Sequence, residues 1–253
     1  MIGIEEEKLN EIPSLIIAET AKKTEALPTV VFFHGFTSAK EHNLPIAFLL
    51  AEKGFRVILP DSLHHGSREL GINSVQRMVS FWDIVMNNVK ELGLIKEVLE
   101  ERNLIQEGRI GVAGTSMGGI TTSAALTQYP WIKSAAVLMG SPKISSFART
   151  LVDGLKKKGN LPVTEETINQ LYQQLEELDL SLQPNKLAQR PVFFWHGVND
   201  PAVPFDHSFS FYQEVRESYE NQENIHFVKE ENRGHKVSRF ATLEAVKWLN
   251  EHI

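Results

Sequence analysis

A strand-like run, Arg109 to Ala113, leads straight into Gly114-Thr115-Ser116-Met117-Gly118-Gly119, and a helix-like stretch of small residues follows up to Tyr129-Pro130. This order constrains the fold more than any other feature of the chain. A G-x-S-x-G pattern between strand and helix demands a tight turn with the serine at its apex, in a strained backbone conformation. Glycines two residues before and two after the serine remove side chains that would collide as strand and helix close together. The turn projects the Ser116 hydroxyl from the sheet beside the first amides of a helix, where developing negative charge is favoured. The pattern also occurs in surface turns, so its weight comes from the strand before it and the helix after it.

The rest of the chain repeats short β-type runs followed by longer helical patterns, which builds a mostly parallel sheet with helices on both faces. Strands are expected at Thr29 to Phe33, Phe55 to Leu59, Ala135 to Met139, Pro191 to Trp195 and Ile225 to Val228, with Ser14 to Ala18 in an antiparallel edge. Helical spacing around Leu44, Ala47, Phe48 and Ala51 stops at Gly54. One long amphipathic helix is expected to present Val75, Met78, Val79, Trp82, Val85, Met86 and Val89 on one face. A closing helix carries Phe240, Leu243, Val246 and Leu249. Between Ser141 and Arg190 the alternation breaks. Phe147, Leu151 and Leu155 fit one helical face and Ile168, Leu171, Leu175 and Leu178 another, separated by Lys156-Lys157-Lys158-Gly159-Asn160. The expectation is a single domain over residues 1–253, of about eight strands, with a short helical cap-like insertion at 142–190; two ordinary connecting helices would read the same way.

A serine hydroxyl needs a neighbouring base, and the chain offers nine histidines. In α/β-hydrolases, which this strand–turn–helix elbow resembles, the acid and then the histidine come later in the chain than the serine. Asp200 lies just after the Pro191 to Trp195 strand, in Asn199-Asp200-Pro201, a sequence that also serves as a plain turn. His235 follows the last strand, after Gly234, which is expected to turn the chain sharply; His226, His207 and His252 fall in a strand, a helix start and the C-terminus. Ser116, Asp200 and His235 are therefore the candidate nucleophile, orienting acid and base.

Acyl transfer also needs amide donors aimed at the oxygen that becomes negative. The candidates are the backbone N–H groups of Met117 and of Phe36, in His34-Gly35-Phe36-Thr37-Ser38, with His34 bonded to nearby backbone and the Phe36 ring lining a substrate pocket. Asp61-Ser62-Leu63-His64-His65-Gly66-Ser67-Arg68 invites a metal reading, but adjacent residues on an extended chain point apart, and a hydrogen-bonded loop is expected instead. His65 and Arg68 are carried as candidate substrate-binding residues, Arg68 for a carboxylate.

Composition narrows the classes. The net charge of −6 and the absence of a basic stripe argue against nucleic acid, and the lack of cysteine excludes disulfides, thiolate zinc sites and a cysteine nucleophile. No metal or cofactor is expected. No apolar run is long enough to span a bilayer, and Met1-Ile2-Gly3-Ile4-Glu5-Glu6-Glu7 is unlike a secretory signal, so a cytoplasmic location is the default and oligomeric state is left open.

Together, H-G-F-T-S, P-D…H-G-S-R, G-T-S-M-G-G, W-H-G-x-x-D-x-x-V-P and G-H make the chain resemble α/β-hydrolases of the prolyl-oligopeptidase-like group, in particular small bacterial esterases. The resemblance runs from about Ile2 to the C-terminus. It implies carboxylesterase activity on short acyl esters and triad roles for Ser116, Asp200 and His235. Phe36, Met117 and the apolar faces of the expected cap point to an apolar pocket, for small, mostly apolar acyl esters hydrolysed through an acyl-enzyme. Thioester, lactone or small-peptide hydrolysis would use the same triad, and a non-catalytic ligand-binding relative is the alternative from another class.

Overall fold

The computed structural model describes residues 1–157, 159 and 164–253, so Lys158 and Asn160 of the expected separator lie outside the described residues. Eight strands form one sheet: β1 (Ile2–Leu9), β2 (Ile12–Glu19), β3 (Leu27–Phe33), β4 (Arg56–Pro60), β5 (Ile105–Thr115), β6 (Ser134–Leu138), β7 (Val192–Gly197) and β8 (Ile225–Glu230). Their order is β1-β2-β4-β3-β5-β6-β7-β8. The β1–β2 and β2–β4 pairs are antiparallel, and every pairing from β4–β3 onward to β8 is parallel. The chain has the α/β-hydrolase fold.

The helices are α1 (Leu44–Ala51), α2 (Ser74–Val79), α3 (Phe81–Glu101), α4 (Met117–Gln128), α5 (Ile144–Lys157), α6 (Glu165–Glu176), α7 (Phe205–Arg216) and α8 (Arg239–His252). All seven residues of β3 are buried, as a strand covered on both faces must be. Alternation along the strands sorts side chains between two layers. Val31 and Phe33, Ala135 and Val137, and Val192 and Phe194 pack with Leu92, Ile95 and Leu99 of α3, Leu126 of α4 and Phe211 of α7. Val30 and Phe32, Ala136 and Leu138, and Phe193 and Trp195 pack with Leu50 of α1 and Ala245 and Leu249 of α8. A third cluster gathers Trp82, Val85, Met117, Ile120, Phe147, Leu175 and Val203 beyond the strand ends. Helix α4 tolerates near-complete burial because its hydroxyls are satisfied internally. Thr121, Thr122 and Ser123 donate to the carbonyls of Met117, Gly118 and Gly119, four residues back.

Two helix expectations change. The expected long helix is two, because the backbone leaves helical geometry at Ser80 (φ −77°, ψ 3°), whose hydroxyl bonds back to the Gln76 carbonyl at 3.0 Å. Asn73 and Gln76 form a reciprocal capping box at the start of α2, and Val75 and Met78 are exposed. In α8, Phe240 and Leu243 are also exposed; Ala241, Ala245, Val246, Trp248 and Leu249 form the buried face. Among the described residues, no helix is long and apolar enough to cross a membrane.

Candidate active site

Four loops meet beyond the C-terminal ends of β3, β5, β7 and β8, which is where ligands bind in open parallel sheets. Ser116 closes β5 at φ 57°, ψ −116°, a left-handed conformation that costs a non-glycine residue of order 1–3 kcal/mol. The turn is held by the Ser116 N–H donating to the Leu138 carbonyl (2.8 Å) and by the Ile120 N–H donating to the Ser116 carbonyl (2.9 Å). Gly118 is needed for packing: a Cβ there would come well under 3.0 Å from the Phe33 carbonyl.

His235 reaches this serine from the loop after β8. Its Nε2 lies 2.8 Å from Ser116 Oγ and its Nδ1 lies 2.7 Å from Asp200 Oδ2. An ionised carboxylate only accepts, so Nδ1 carries the ring proton and Nε2 is free to accept from the serine. The acid and histidine loops are stitched together by the Val198 N–H donating to the Glu230 carbonyl (3.0 Å) and the Asn199 N–H to the Arg233 carbonyl (2.9 Å). Gly197 permits this approach, because a Cβ there would fall under 3.0 Å from the Arg233 carbonyl. The chain does turn sharply at Gly234, the Lys236 N–H donating to the Gly234 carbonyl at 2.8 Å. The turn does not require a glycine: the φ of Gly234 is outside the left-handed region and a Cβ would meet nothing nearer than Asn199 O at 3.7 Å.

The Asp200 side chain is fully buried, and burial by itself would raise its pKa. Hydrogen bonds from His196 and His235 and from the amides of Ala202 (2.8 Å) and Val203 (3.0 Å) outweigh that and hold it well below the usual carboxylate range. His196 is a participant the sequence did not single out. Its Nε2 faces two acceptors, Asp200 Oδ2 and the Val203 carbonyl, both at 3.1 Å, so it carries a proton; its Nδ1 meets Ser208 Oγ at 2.7 Å. The one available signal was the strand-end W-H-G placed four residues before Asp200.

The loop after β3 packs on the serine. A Cβ at Gly35 would lie 3.5 Å from the Ser116 Cβ, which brings Phe36 alongside. Neither the Phe36 nor the Met117 amide donates to an acceptor among the described residues, and Met117 N–H is the first of helix α4. The loop is braced from behind by two histidines. His34 Nε2 accepts from the Ser62 N–H (3.1 Å) and its Nδ1 pairs with the Gly35 carbonyl (2.8 Å). His65 Nε2 accepts from the Thr37 N–H (3.0 Å) and its Nδ1 pairs with the Leu63 carbonyl (2.8 Å). Burial pushes both imidazoles down, His34 to about 4. Lys40, also buried, donates to Asp61 Oδ2 and Ser67 Oγ, both at 2.7 Å, and ties the same two loops together.

These contacts overturn the substrate-binding expectation for His65 and Arg68. His65 is 2 % exposed with both ring nitrogens occupied. Arg68 forks onto both carboxylate oxygens of Glu91 at 2.8 Å and donates to the Asp61 carbonyl. Neither lines the cavity that opens at Ser116 and His235. That cavity, about 670 Å³, is walled by Phe36, by Phe81 and Trp82 of α3, by Phe147 and Leu151 of α5 and by Leu171 of α6. Among the described residues, no three His, Asp or Glu side chains are arranged to hold a metal ion.

The chain is 47 % identical over 255 residues to YitV, a candidate esterase of Bacillus subtilis, with both chains fully covered. It is 34 % identical over 221 residues to the esterase YjfP of Escherichia coli, covering 86 % of each. Among solved structures, TT1662 from Thermus thermophilus superposes with a TM-score of 0.77 at 19 % identity, over 99 % of this chain and 98 % of that one. Residues 45–253 match the model of the prolyl oligopeptidase family. With that span and those relatives, the chain is an α/β-hydrolase belonging to the prolyl oligopeptidase family.

Proposed function

We propose that the protein is a serine carboxylesterase that hydrolyses small-molecule esters with apolar acyl groups through an acyl-enzyme. The observation that carries this reading is the unbroken hydrogen-bonded line from Ser116 Oγ through both nitrogens of His235 to the buried Asp200. His235 Nε2 takes the Ser116 proton as Oγ attacks the ester carbonyl carbon, and Asp200 steadies the imidazolium that forms. The carbonyl oxygen becomes negative between the amides of Phe36 and Met117, each such donor being worth roughly 3 kcal/mol in the transition state. As the tetrahedral intermediate collapses, the carbon–oxygen bond to the alcohol breaks and His235 delivers its proton to the departing oxygen. Water then attacks the acyl-serine, with His235 again as base, and releases the acid.

His196 is a positioning residue in this scheme, since its second hydrogen bond to Oδ2 fixes the carboxylate plane. Helices α5 and α6, within the 142–190 stretch, act as a cap within one domain, because they supply one wall of the cavity over the serine. The names of YitV and YjfP support ester hydrolysis. The family match supports a second reading, cleavage of a small peptide by the same triad. Turnover of p-nitrophenyl butyrate by the wild-type protein, and its loss in Ser116→Ala, is the expected outcome. A Ser116→Ala protein that retains wild-type turnover refutes the assignment; a folded wild-type protein that cleaves small peptide amides but no ester favours the second reading.

A further inference from the structure

We propose that the acyl group this site selects is bulky, uncharged and apolar, a medium-chain or arylalkanoyl group far larger than acetyl, seated between α3 and the helices α5 and α6. The inference rests on the serine-esterase reading and adds to it the size and charge of the substrate.

The first support is volume. About 670 Å³ lies within the range of cavities that bury a whole drug-sized ligand, and this space begins at Ser116 and His235 themselves. An acetyl group touches little of it. The second is the character of the walls. Phe36 and Phe81 meet at 5.4 Å between ring centroids, Phe81 and Trp82 at 5.0 Å, and Trp82 and Phe147 at 6.1 Å, all edge to face. Such a set gives a rigid apolar surface with both ring edges and ring faces to offer. Leu151 and Leu171, on the two cap helices, add aliphatic surface to the same lining.

The third support is charge. No lysine or arginine lines the cavity among the described residues, and its one carboxylate is Asp83, in the first turn of α3. Partial burial raises the Asp83 pKa, with His64 acting in the opposite direction, although the residue as a whole stays exposed to solvent. A substrate carboxylate entering here would lose its own hydration beside a like charge, with Arg68 already forked onto Glu91. The arrangement rejects anionic acyl groups as firmly as it accepts neutral ones.

The test holds the leaving group constant and varies the acyl group. With p-nitrophenyl esters from acetyl to dodecanoyl, each methylene buried against these walls raises kcat/KM roughly threefold. Hexanoyl or 3-phenylpropanoyl then exceeds acetyl by at least about tenfold, and the adipoyl monoester, a hexanoyl ending in carboxylate, falls at least about tenfold below hexanoyl. Leu171→Trp is expected to lower the hexanoyl-to-acetyl ratio severalfold by filling the cavity. An acetyl optimum, or equal use of the adipoyl and hexanoyl esters, overturns the proposal and leaves the esterase reading intact; a folded protein that hydrolyses no ester overturns both. A constant acyl group whose turnover instead climbs with alcohol chain length also overturns it, because the cavity would then hold the leaving group.

Discussion

Acidification from pH 6.5 to 4 tests how the loop carrying Phe36 is held. His34 is fully buried, accepts the Ser62 N–H at Nε2 and faces the Gly35 carbonyl with Nδ1, an arrangement that suits the neutral ring. Burial pushes it down to about 4 from an ordinary 6.5. The folded value is depressed, so between those two pH values the unfolded chain binds the proton that the folded chain refuses. The contribution of His34 to stability is therefore constant above pH 6.5, is lost progressively as pH falls toward 4, and levels off below. At about 1.4 kcal/mol per pH unit, that interval amounts to roughly 3 kcal/mol. His65, His207 and His226 are also depressed by burial and add to the wild-type slope, so the informative quantity is a difference. Urea unfolding at half-unit steps from pH 7.5 to 4.5 would be run on the wild-type protein and on His34→Gln, whose amide can accept from Ser62 without titrating. The wild-type advantage should shrink by roughly 2–3 kcal/mol across the range. Parallel curves would refute the argument that a neutral His34 braces this loop.

Other substitutions probe the rest of the site. Asp200→Asn should leave the fold intact and lower kcat by a factor on the order of 10⁴, through the wrong His235 tautomer; a loss under tenfold in steady-state assays contradicts that role. His196→Leu removes one donor from Asp200 Oδ2 and frees the carboxylate to turn away from His235. Turnover should fall roughly tenfold with KM little changed, and His196→Gln should restore most of it; an equal loss in both variants would make His196 merely a packed side chain. Gly197→Ala, whose new Cβ meets the Arg233 carbonyl, should cost roughly 1–3 kcal/mol, and Gly234→Ala distinctly less. Equal thermal shifts for the two would contradict the packing account.

Much of the architecture was legible because its signals are local. The runs that became β3, β4, β6 and β7 are apolar and bounded by Gly, Pro or polar turns, and the elbow at Ser116 is written in consecutive residues. Placing Asp200 and His235 after β7 and β8 needed only chain order and strand counting. What escaped depends on long-range partners. Arg68 reads as a free cation until α3 brings Glu91 beside it, 23 positions away in the chain. His65 reads as a site residue until the Thr37 amide, 28 positions away, claims its Nε2. The break at Ser80 hides inside an unbroken apolar period, because a serine bonding back to its own helix leaves no mark on hydrophobic spacing. His196 escaped because the turn from Asn199 to Val203 folds Asp200 back onto the strand that precedes it.

The central claim is that Ser116 is an alcohol activated by His235, and mass spectrometry after exposure to a fluorophosphonate addresses it most directly. One adduct per chain is expected, on the peptide containing Ser116, absent from Ser116→Ala and formed far more slowly in His235→Ala. Labelling of another residue, or undiminished labelling in His235→Ala, would contradict it.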